Sequence, residues 1–314
     1  MFSILAGSSV EKTEADFLNT KKWMESIKGE RLLSCISMPG SHDTMAWTAS
    51  GSLQSFINCH SDDLLTQLND GIRFIDIRLH HKNKILHCHH GSYDLGMEFD
   101  RVIKDCKSFL DANPSECIVM SIKRENGEGG GNDKETFKDA VDKYIDTYSK
   151  RNYWYMKTSI PMLNEVRGKI VMISRFPVDN DFDESRYGLR AWDGWLDNNP
   201  DFHIDLKHTD PSKCEMLVIQ DYYNLSAPYI NRGRKGDAIN TYITKAGEGY
   251  KPYQWFLNFI SCFEVLPITW TASYFNGYTK GRLTNDGARW GTFLMDYIPQ
   301  DLINKIISHA INGK

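Results

Sequence analysis

Eight short runs of apolar and β-branched residues, spread along the whole chain, place the strongest constraint on its fold. Near-continuous runs of this kind are typical of parallel strands that are buried on both faces of a sheet. Strands of a half-exposed sheet instead alternate apolar and polar residues. The predicted strands cover residues 32–38, 74–79, 84–88, 117–123, 169–175, 216–222, 256–262 and 291–297.

The segments between these runs favour an α/β barrel with an irregular repeat. Residues 99–110 carry apolar side chains at helical spacing and are followed by Asn113-Pro114, which ends a helix. Residues 137–148 and 302–311 show the same pattern more weakly. Only residues 80–83 separate the second and third predicted strands, which is too short for a helix. The length of 314 residues therefore fits one barrel that departs from a regular eightfold repeat.

Charged or hydrogen-bonding side chains stand at or near the carboxyl ends of almost all of these runs. The carboxyl ends of barrel strands meet at one rim, where α/β barrels build their active sites. Any single residue of this kind is more often a solvated loop residue, but the repetition from strand to strand favours a shared site. The residues are His42, Asp43, Asp76, Arg78, His90, Lys123, Arg175, Asp221, Tyr223 and Asp296.

Two histidines and one arginine in this set indicate phosphodiester chemistry. Histidine changes its charge near pH 7, so His42 and His90 are suited to act as general base and general acid. The planar guanidinium of Arg78 matches the geometry of a phosphate group. A zinc site is the alternative for the histidine-rich stretch, but its spacing follows no standard zinc pattern. We expect the remaining histidines, His80, His81 and His87, to lie in a loop or at the surface.

Bulk properties exclude several classes of protein. The net charge is -4 and no basic stripe is present, which argues against a nucleic-acid partner. No apolar run approaches the ~18 residues that span a membrane. The seven cysteines show no pairing pattern, so free thiols are expected. Residues 1–10 are too short and too polar for a signal peptide. We expect a secreted protein that begins near its mature terminus, with a cytoplasmic location left open.

Several segments resemble the bacterial phosphatidylinositol-specific phospholipases C in order and spacing. The most specific are Ser-Met-Pro-Gly-Ser-His-Asp at residues 37–43, Gly-Ile-Arg-Phe-Ile-Asp-Ile-Arg at residues 71–78, and His89-His90-Gly91. Further matches lie at residues 113–116, 120–123, 167–175 and 218–221, at Tyr223, and at Asn258-Phe259. The resemblance implies an α/β fold, a distorted and incompletely closed TIM-type (β/α)8 barrel, that forms one catalytic X-type domain over residues 1–314.

The resemblance also implies a mechanism and an outcome. His42 removes the proton from the inositol 2-hydroxyl, which attacks the phosphorus of the same molecule. Arg78 binds a non-bridging phosphate oxygen, and His90 with Asp43 protonates the departing diacylglycerol oxygen. The enzyme is then a lyase whose products are diacylglycerol and inositol 1,2-cyclic phosphate. Whether it takes free phosphatidylinositol, a glycosyl-phosphatidylinositol anchor, or both stays open.

Supporting roles follow from the same resemblance. Asp296 fixes the tautomer of His42, and Asp76 helps to orient the site. The groups that bind the inositol ring are Lys123, Arg175 and Asp221, with Tyr223 packed against the ring. No metal or other cofactor is expected, because Arg78 stands where calcium-dependent relatives use the ion. Glu125 is the one nearby carboxylate that would support a calcium site in another subfamily.

The expected substrate lies in a membrane surface, so apolar contacts are predicted at the rim. Trp47 and Trp270 are the candidates, since tryptophan favours the membrane interface. Inositol phosphates are the expected soluble ligands, and we expect a monomer. Two rival functions remain at this point: a glycerophosphodiester phosphodiesterase-like barrel with a carboxylate-rich metal site, and a phosphoinositide-binding module without turnover.

Overall fold

The computed structural model describes residues 18–125, 136–178, 183, 185–208, 210, 212–249, 251–284 and 289–313. Residues 1–10, on which the signal-peptide argument rests, lie outside this part of the chain. The described strands are β1 Met38–Ser41, β2 Phe74–Lys82, β3 Ile85–His90, β4 Tyr93–Glu98, β5 Ile118–Arg124, β6 Trp154–Tyr155, β7 Ile170–Arg175, β8 Leu189–Arg190, β9 Phe202–Asp205, β10 Met216–Gln220, β11 Gln254–Phe259 and β12 Thr292–Met295.

The α-helices lie between and after these strands. They are α1 Gln54–Ile57, α2 Leu64–Asp70, α3 Phe99–Ala112, α4 Phe137–Tyr148, α5 Leu163–Val166, α6 Arg232–Gly247, α7 Ile268–Arg282 and α8 Gln300–Asn312. Short 3-10 turns cover Thr20–Ser26, Leu33–Cys35, Gly51–Leu53 and Arg151–Tyr153. None of the described helices is both long enough and apolar enough to cross a lipid bilayer.

One sheet contains all the described strands, in the order β6-β7-β5-β2-β1-β12-β11-β10-β9. The pairings along this path are parallel except that between β9 and β10. Strands β3 and β4 extend β2 as an antiparallel meander, and β8 pairs with β7. In the described part of the chain no ladder joins β6 to β9. The predicted distorted and incompletely closed barrel is therefore confirmed.

The first predicted strand is wrong over most of its length. Leu33–Cys35 form a 3-10 turn, and β1 begins only at Met38. Leu33 and Cys35 are nonetheless buried. A buried turn produces the same apolar run as a buried strand, so composition alone does not separate the two. Each of the other seven predicted strands overlaps an observed strand.

The histidines expected in a loop lie elsewhere. His80 and His81 belong to β2, which continues to Lys82 because the hairpin with β3 pairs it that far. The side chain of His81 is fully buried, whereas a surface position was expected. His87 lies in β3 and is partly exposed. The β2–β3 hairpin, and not a loop, therefore carries this histidine-rich segment.

Helix α3 covers the sheet as its apolar stripe predicts. All six residues of the stripe are buried, and Asn113 ends the helix before β5 begins. Helix α4 starts at a capping box in which Thr136 and Asp139 exchange hydrogen bonds. The longer helices α6 and α7 have weaker apolar faces and were not predicted.

A buried ion pair holds the amino ends of β2 and β5 together. Nη2 of Arg73 lies 2.8 Å from Oε2 of Glu116, and both side chains are fully buried. The same guanidinium donates to the carbonyl of Leu68 in α2. These bonds hold β2, β5 and α2 together at the end of the barrel opposite the polar rim.

Candidate active site

The carboxyl ends of β1 and β2 supply four site residues at fixed relative positions. The parallel register places Ser41 opposite Ile75. His42 and Asp43 directly follow β1, while Asp76 and Arg78 lie on one face of β2. Backbone bonds tie the two segments together, since Thr44 N donates to the Asp76 carbonyl over 3.0 Å.

Glycine is required in β1 for this close pairing. A Cβ built at Gly40 would lie 2.8 Å from the Cβ of Phe74 in β2 and 2.8 Å from the carbonyl oxygen of Phe293 in β12. Both distances are shorter than any ordinary contact. The glycine of the Pro-Gly-Ser-His-Asp sequence therefore allows β1 to pack closely between β2 and β12, two residues before His42.

His42 is held by one acceptor, Asp296, and by two donors, His60 and Arg78. Its Nδ1 lies 2.8 Å from Oδ1 of Asp296, and its backbone carbonyl accepts a hydrogen bond from Nε2 of His60 over 2.7 Å. Burial alone would raise the pKa of Asp296, but the neighbouring His42 holds it below its usual value. An ionised Asp296 accepts the Nδ1 proton, which leaves the Nε2 lone pair of His42 facing the cavity.

Arg78 connects this histidine to two buried carboxylates. Its Nη2 lies 2.7 Å from Nε2 of His42, and its Nε donates to Oδ2 of Asp76 over 3.0 Å. Burial lowers the pKa of Arg78, but the charges of Asp76 and Asp43 raise it well above its usual value. The pKa of Asp76 is far below its usual range, because Arg78 and Arg175 outweigh the effect of burial.

His90 and Asp43 form a second histidine–carboxylate pair. Nδ1 of His90 lies 2.7 Å from the carbonyl oxygen of Ile57, so it carries a proton and donates it there. Nε2 of His90 lies 4.0 Å from Oδ2 of Asp43. Neither Asp43 oxygen accepts a hydrogen bond from the described residues, and burial raises the pKa of this carboxyl. A proton on Nε2 of His90 therefore has a buried anion beside it.

Asp43 adopts a backbone conformation that side chains rarely take. Its φ is 39°, in the left-handed region that aspartate and asparagine tolerate better than other residues. The turn after β1 therefore reverses sharply, and His42 and Asp43 point to different parts of the same site. As a result, His42 pairs with Asp296, whereas Asp43 pairs with His90.

Arg175 and Asp221 are joined through a tryptophan that the sequence did not single out. The guanidinium carbon of Arg175 lies 3.4 Å from the ring centroid of Trp195. Nε1 of Trp195 donates to Oδ2 of Asp221 over 3.0 Å. Nη1 of Arg175 also donates to Asp76 over 3.3 Å. Burial lowers the pKa of Arg175. This wall of the cavity is therefore built from one fixed cation and one fixed anion.

Lys123 and Tyr223 complete the polar wall. Nζ of Lys123 lies 2.6 Å from Oε2 of Glu125, and Tyr223 donates its hydroxyl proton to Asp197 over 3.0 Å. Burial lowers the pKa of Lys123. Burial would raise the pKa of Glu125, but the charges of Arg78 and Lys123 hold it below its usual value.

The surroundings of Glu125 do not fit a calcium site. Its two oxygens face Lys123 and, at 3.9 Å, Nη1 of Arg78. Calcium requires six to eight oxygen ligands, whereas two cationic side chains stand around this carboxylate. Two neighbouring carboxylates, Asp43 and Asp76, also face Arg78.

These groups surround one cavity of about 580 Å³. Asp43 and Asp76 lie beneath it, and the other predicted polar residues line it: His42, Arg78, His90, Lys123, Arg175, Asp221, Tyr223 and Asp296. The lining also includes residues that sequence reasoning missed, among them Cys59, Trp192, Trp195, Asp197 and Phe263. No local pattern in the sequence marks these residues as part of the site.

The two predicted interface tryptophans differ in exposure. Trp270, in α7, is 61% exposed, whereas Trp47 is only partly exposed and its Nε1 is buried. Other exposed apolar side chains stand in the loops after β10 and β11, at the carboxyl ends of those strands. They are Tyr229, Ile230, Phe263 and Val265.

A barrel that brings two histidines and an arginine into one cavity at the strand ends is the arrangement expected of a phosphodiesterase. Comparison with known proteins agrees with this class. Residues 36–176 match the family described as phosphatidylinositol-specific phospholipase C, X domain. The matched segment runs from just before β1 to just after β7, so it includes both histidines, Arg78 and Lys123.

Similar proteins extend this match along the chain. A 1-phosphatidylinositol phosphodiesterase of Staphylococcus aureus is 27% identical over 303 residues, which cover 91% of this chain and 93% of the relative. A protein of the same name from Listeria monocytogenes is 32% identical over 167 residues, which cover 50% and 49% of the two chains.

Solved structures show the same likeness in three dimensions. The phosphatidylinositol-specific phospholipase C of Staphylococcus aureus, in a pentafluoro-Phe form, superimposes with a TM-score of 0.81 at 27% identity, over 94% of this chain and 98% of the other. The Listeria monocytogenes enzyme gives 0.71 at 26% identity, over 93% and 99%. The family match, the relatives and the solved structures together support a bacterial phosphatidylinositol-specific phospholipase C. The family predicted from the motifs is confirmed.

Proposed function

We propose that this protein cleaves phosphatidylinositol at a membrane surface to diacylglycerol and inositol 1,2-cyclic phosphate. One observation carries the proposal: His42 and His90 open into the same cavity and are linked through Arg78 and Asp43. Binding alone does not need an acid and a base. A cavity with both, around a guanidinium, is suited to breaking a phosphodiester.

Attack begins at His42. Its Nδ1 donates a proton to Asp296, so the Nε2 lone pair can accept the proton of the inositol 2-hydroxyl once phosphate displaces the hydrogen bond from Arg78. The attacking oxygen and the phosphorus belong to one molecule, so little translational entropy is lost at this step. Asp296 is a positioning residue, because it acts on the substrate only through the ring of His42.

Charge that develops on the phosphate is balanced by Arg78. Its Nε is fixed by Asp76, and Arg175 holds the other oxygen of the same carboxylate. The Nη groups of Arg78 are directed at the non-bridging phosphate oxygens, and Nη2 exchanges its bond to His42 for one of them when phosphate binds. The donors are in place before the reaction starts, which is what makes electrostatic stabilisation effective.

The leaving group is protonated by His90. The Asp43 carboxyl stands 4.0 Å from Nε2 of His90, and the Nδ1 bond to the Ile57 carbonyl fixes the plane of the ring. Transfer of that proton to the diacylglycerol oxygen completes the cleavage. The phosphorus–oxygen bond to diacylglycerol breaks as the bond to the 2-oxygen forms.

The polar wall is suited to the inositol ring. Lys123, Arg175 and Asp221 offer donors and an acceptor for hydroxyl groups, and Tyr223 offers a flat face. All four belong to the carboxyl ends of strands or to the residues just after them, so their spacing is fixed by the sheet. We propose that this wall gives the enzyme its preference for inositol over other headgroups.

The exposed aromatic and aliphatic residues near the cavity form the membrane-facing rim. Trp270 and the exposed loop residues Phe263 and Val265 lie on the segments after β11. Tryptophan at a membrane–water interface places its ring at the headgroup level. We propose weak, reversible binding to the lipid surface through this rim, by a monomer that acts outside the cytoplasm.

The seven cysteines are all free thiols, as the sequence analysis expects.

Catalysis is proposed to need no metal cofactor, since Arg78 supplies the positive charge at the phosphate. The rival with a carboxylate-rich metal site receives little support from the geometry, as Asp76 faces Arg78 and Arg175, and Glu125 faces Lys123. The binding module without turnover has no observation in its favour.

Phosphorus NMR tests the proposal. Phosphatidylinositol in detergent micelles, with excess chelator, is expected to give a new cyclic phosphodiester signal with wild type and none with His42→Ala. An exposed-histidine variant, His203→Ala, serves as the matched control and is expected to behave as wild type. Activity that requires added calcium would overturn the role of Arg78, and folded wild-type protein without turnover would overturn the enzymatic proposal.

A further inference from the structure

We propose that His42, Cys59 and Asp296 form a binding site for a thiophilic divalent cation of the Zn²⁺ class, and that its occupation inhibits the enzyme. A ring nitrogen of His42, Sγ of Cys59 and a carboxylate oxygen of Asp296 all lie within 4.8 Å of one another. Within the described part of the chain, no other three histidine, cysteine or acidic residues meet so closely. The inhibitory part rests on the proposed role of His42.

The three donor atoms suit zinc in kind and in distance. Zinc binds thiolate, imidazole and carboxylate ligands at about 2.0–2.3 Å in tetrahedral geometry. Ligand atoms around such an ion stand roughly 3.3–3.8 Å apart. The Nδ1–Oδ1 distance of 2.8 Å between His42 and Asp296 therefore has to widen by about half an ångström. A water molecule from the cavity would fill the fourth position.

The charges of the ligands balance those of the ion. Cys59 is fully buried, and burial followed by the charge of Asp296 raises the pKa of its thiol well above the usual value. Metal binding expels the thiol proton to solvent. The thiolate and the ionised Asp296 then cancel the two positive charges of the ion. Arg78, 2.7 Å from the other side of the His42 ring, opposes the ion, but Asp76 already compensates that guanidinium.

Occupation of this site would disable the proposed base through its tautomer. The ion takes the Nδ1 lone pair of His42, so the ring proton moves from Nδ1 to Nε2. A protonated Nε2 no longer accepts a proton from the inositol hydroxyl, and it no longer accepts the hydrogen bond of Arg78, so the guanidinium has to move away from the ring. Inhibition therefore requires no contact between the ion and the substrate.

Access to the site is provided by the cavity itself. Cys59, His42 and Asp296 all border it, and the His42 side chain is 14% exposed. Cys59 has no part in the proposed mechanism. Its side chain thus offers a means to remove the metal site without removing the base.

The test uses cobalt as a spectroscopic probe of zinc ligation. Metal-free wild type titrated with Co²⁺ is expected to show a thiolate-to-cobalt charge-transfer band at one equivalent, and Zn²⁺ is expected to displace it. In parallel, Zn²⁺ is expected to abolish turnover and a chelator to restore it. Absence of the charge-transfer band from wild type would overturn the proposal, whatever the activity data show.

Variants at three cysteines identify the ligand. Cys59→Ser, with Cys59→Ala as the second choice if the first does not fold, is expected to lose the band and to raise the zinc inhibition constant by about 100-fold. Its turnover without metal is expected to equal that of wild type. Cys262→Ser, in the same cavity, and Cys214→Ser, at the surface, are the controls and should keep the band. A band that survives in Cys59→Ser, or that disappears in Cys262→Ser, contradicts the site.

The two readouts separate this proposal from the proposed function. The cobalt spectrum reports the site even in a protein without turnover. A normal band with no lipid cleavage would leave the metal site intact and overturn the function, whereas zinc-insensitive cleavage with no band would do the reverse.

Discussion

Nη2 of Arg78 lies 2.7 Å from Nε2 of His42. Because Asp296 holds the Nδ1 proton of that ring, Nε2 accepts a hydrogen bond from the guanidinium. A phosphate oxygen that binds Arg78 would compete for this donor and release Nε2 to accept the substrate proton. Phosphate binding and activation of the base are thereby coupled at one atom.

Arg78→Lys tests this coupling. A lysine keeps the charge but lacks the planar fork that reaches Asp76 and the phosphate together. We expect kcat to fall by about 10²–10³-fold, the effect of removing one preorganised donor to a developing oxyanion. Steady-state turnover of phosphatidylinositol in micelles measures this loss. Arg101→Lys, on the exposed face of α3, is the control and should change nothing. Nearly full activity in Arg78→Lys would show that a point charge suffices.

The proposed roles of His42 and His90 can be distinguished with substrates whose leaving groups differ in basicity. A general acid matters for a basic alkoxide and much less for a phenolate that leaves unaided. We expect His90→Ala to lose about 10²–10⁴-fold in kcat on phosphatidylinositol but less than about tenfold on a nitrophenyl inositol phosphate. His42→Ala should lose activity on both substrates, since each needs the base. Equal losses in His90→Ala on the two substrates would assign His90 a different task.

Asp76 is expected to stabilise the fold as well as orient the site. Asp76→Asn leaves Arg78 and Arg175 buried without their shared anion, and we expect a loss of about 3–5 kcal/mol in unfolding free energy at pH 7. The pKa of Asp76 is lowered on folding, so its contribution is complete above the unfolded pKa and disappears as the pH falls through the folded value.

Urea unfolding at a series of pH values measures this contribution. The difference between wild type and Asp76→Asn is expected to be constant near neutrality and to shrink below about pH 4. Asp100→Asn removes an exposed partner of Lys104 and should cost less than about 1 kcal/mol. If the difference in unfolding free energy between Asp76→Asn and wild type increased in acid, the direction assigned to the pKa shift of Asp76 would be wrong.

Membrane binding is expected to depend on Trp270. Burial of an exposed aromatic side chain supplies about 2 kcal/mol, so Trp270→Ala should weaken vesicle partitioning by roughly 30-fold. Trp47→Ala is expected to have a smaller effect, since part of that ring is already covered. Co-sedimentation with phosphatidylinositol vesicles gives both values. The matched control is Tyr253→Ala, which removes an exposed aromatic side chain at the amino end of β11 and should leave partitioning unchanged. Unchanged partitioning of both tryptophan variants would remove the rim from the proposal.

The sequence predicts the polar rim well because strand ends are local signals. Each of β2, β5 and β7 is an apolar run with a basic residue within or at its end, so Arg78, Lys123 and Arg175 could be placed without knowing the pairing. Parallel register then aligns them in neighbouring strands, with Arg78 opposite Lys123 and Lys123 opposite Arg175. The ten predicted polar residues meet for this reason.

Other parts of the site leave no local pattern. Cys59 reaches His42 from a segment far from any predicted strand, and Trp195 stacks on Arg175 across the open edge of the sheet. Helix α6 begins Arg-Gly-Arg-Lys-Gly and carries a weak apolar face, so periodicity did not reveal it. These features depend on contacts between distant segments, which a window of sequence does not contain.

The ladder between β1 and β2 has a consequence for how such an enzyme diversifies. The base, Asp43, Asp76 and Arg78 all belong to these two neighbouring strands and the turn that follows the first. Changes in the loops elsewhere around the rim therefore leave the relative positions of these four residues unchanged, provided that β3, which carries His90, keeps its place. A single-residue deletion within residues 38–43, in contrast, would shift His42 relative to Arg78, and no loop change restores that alignment.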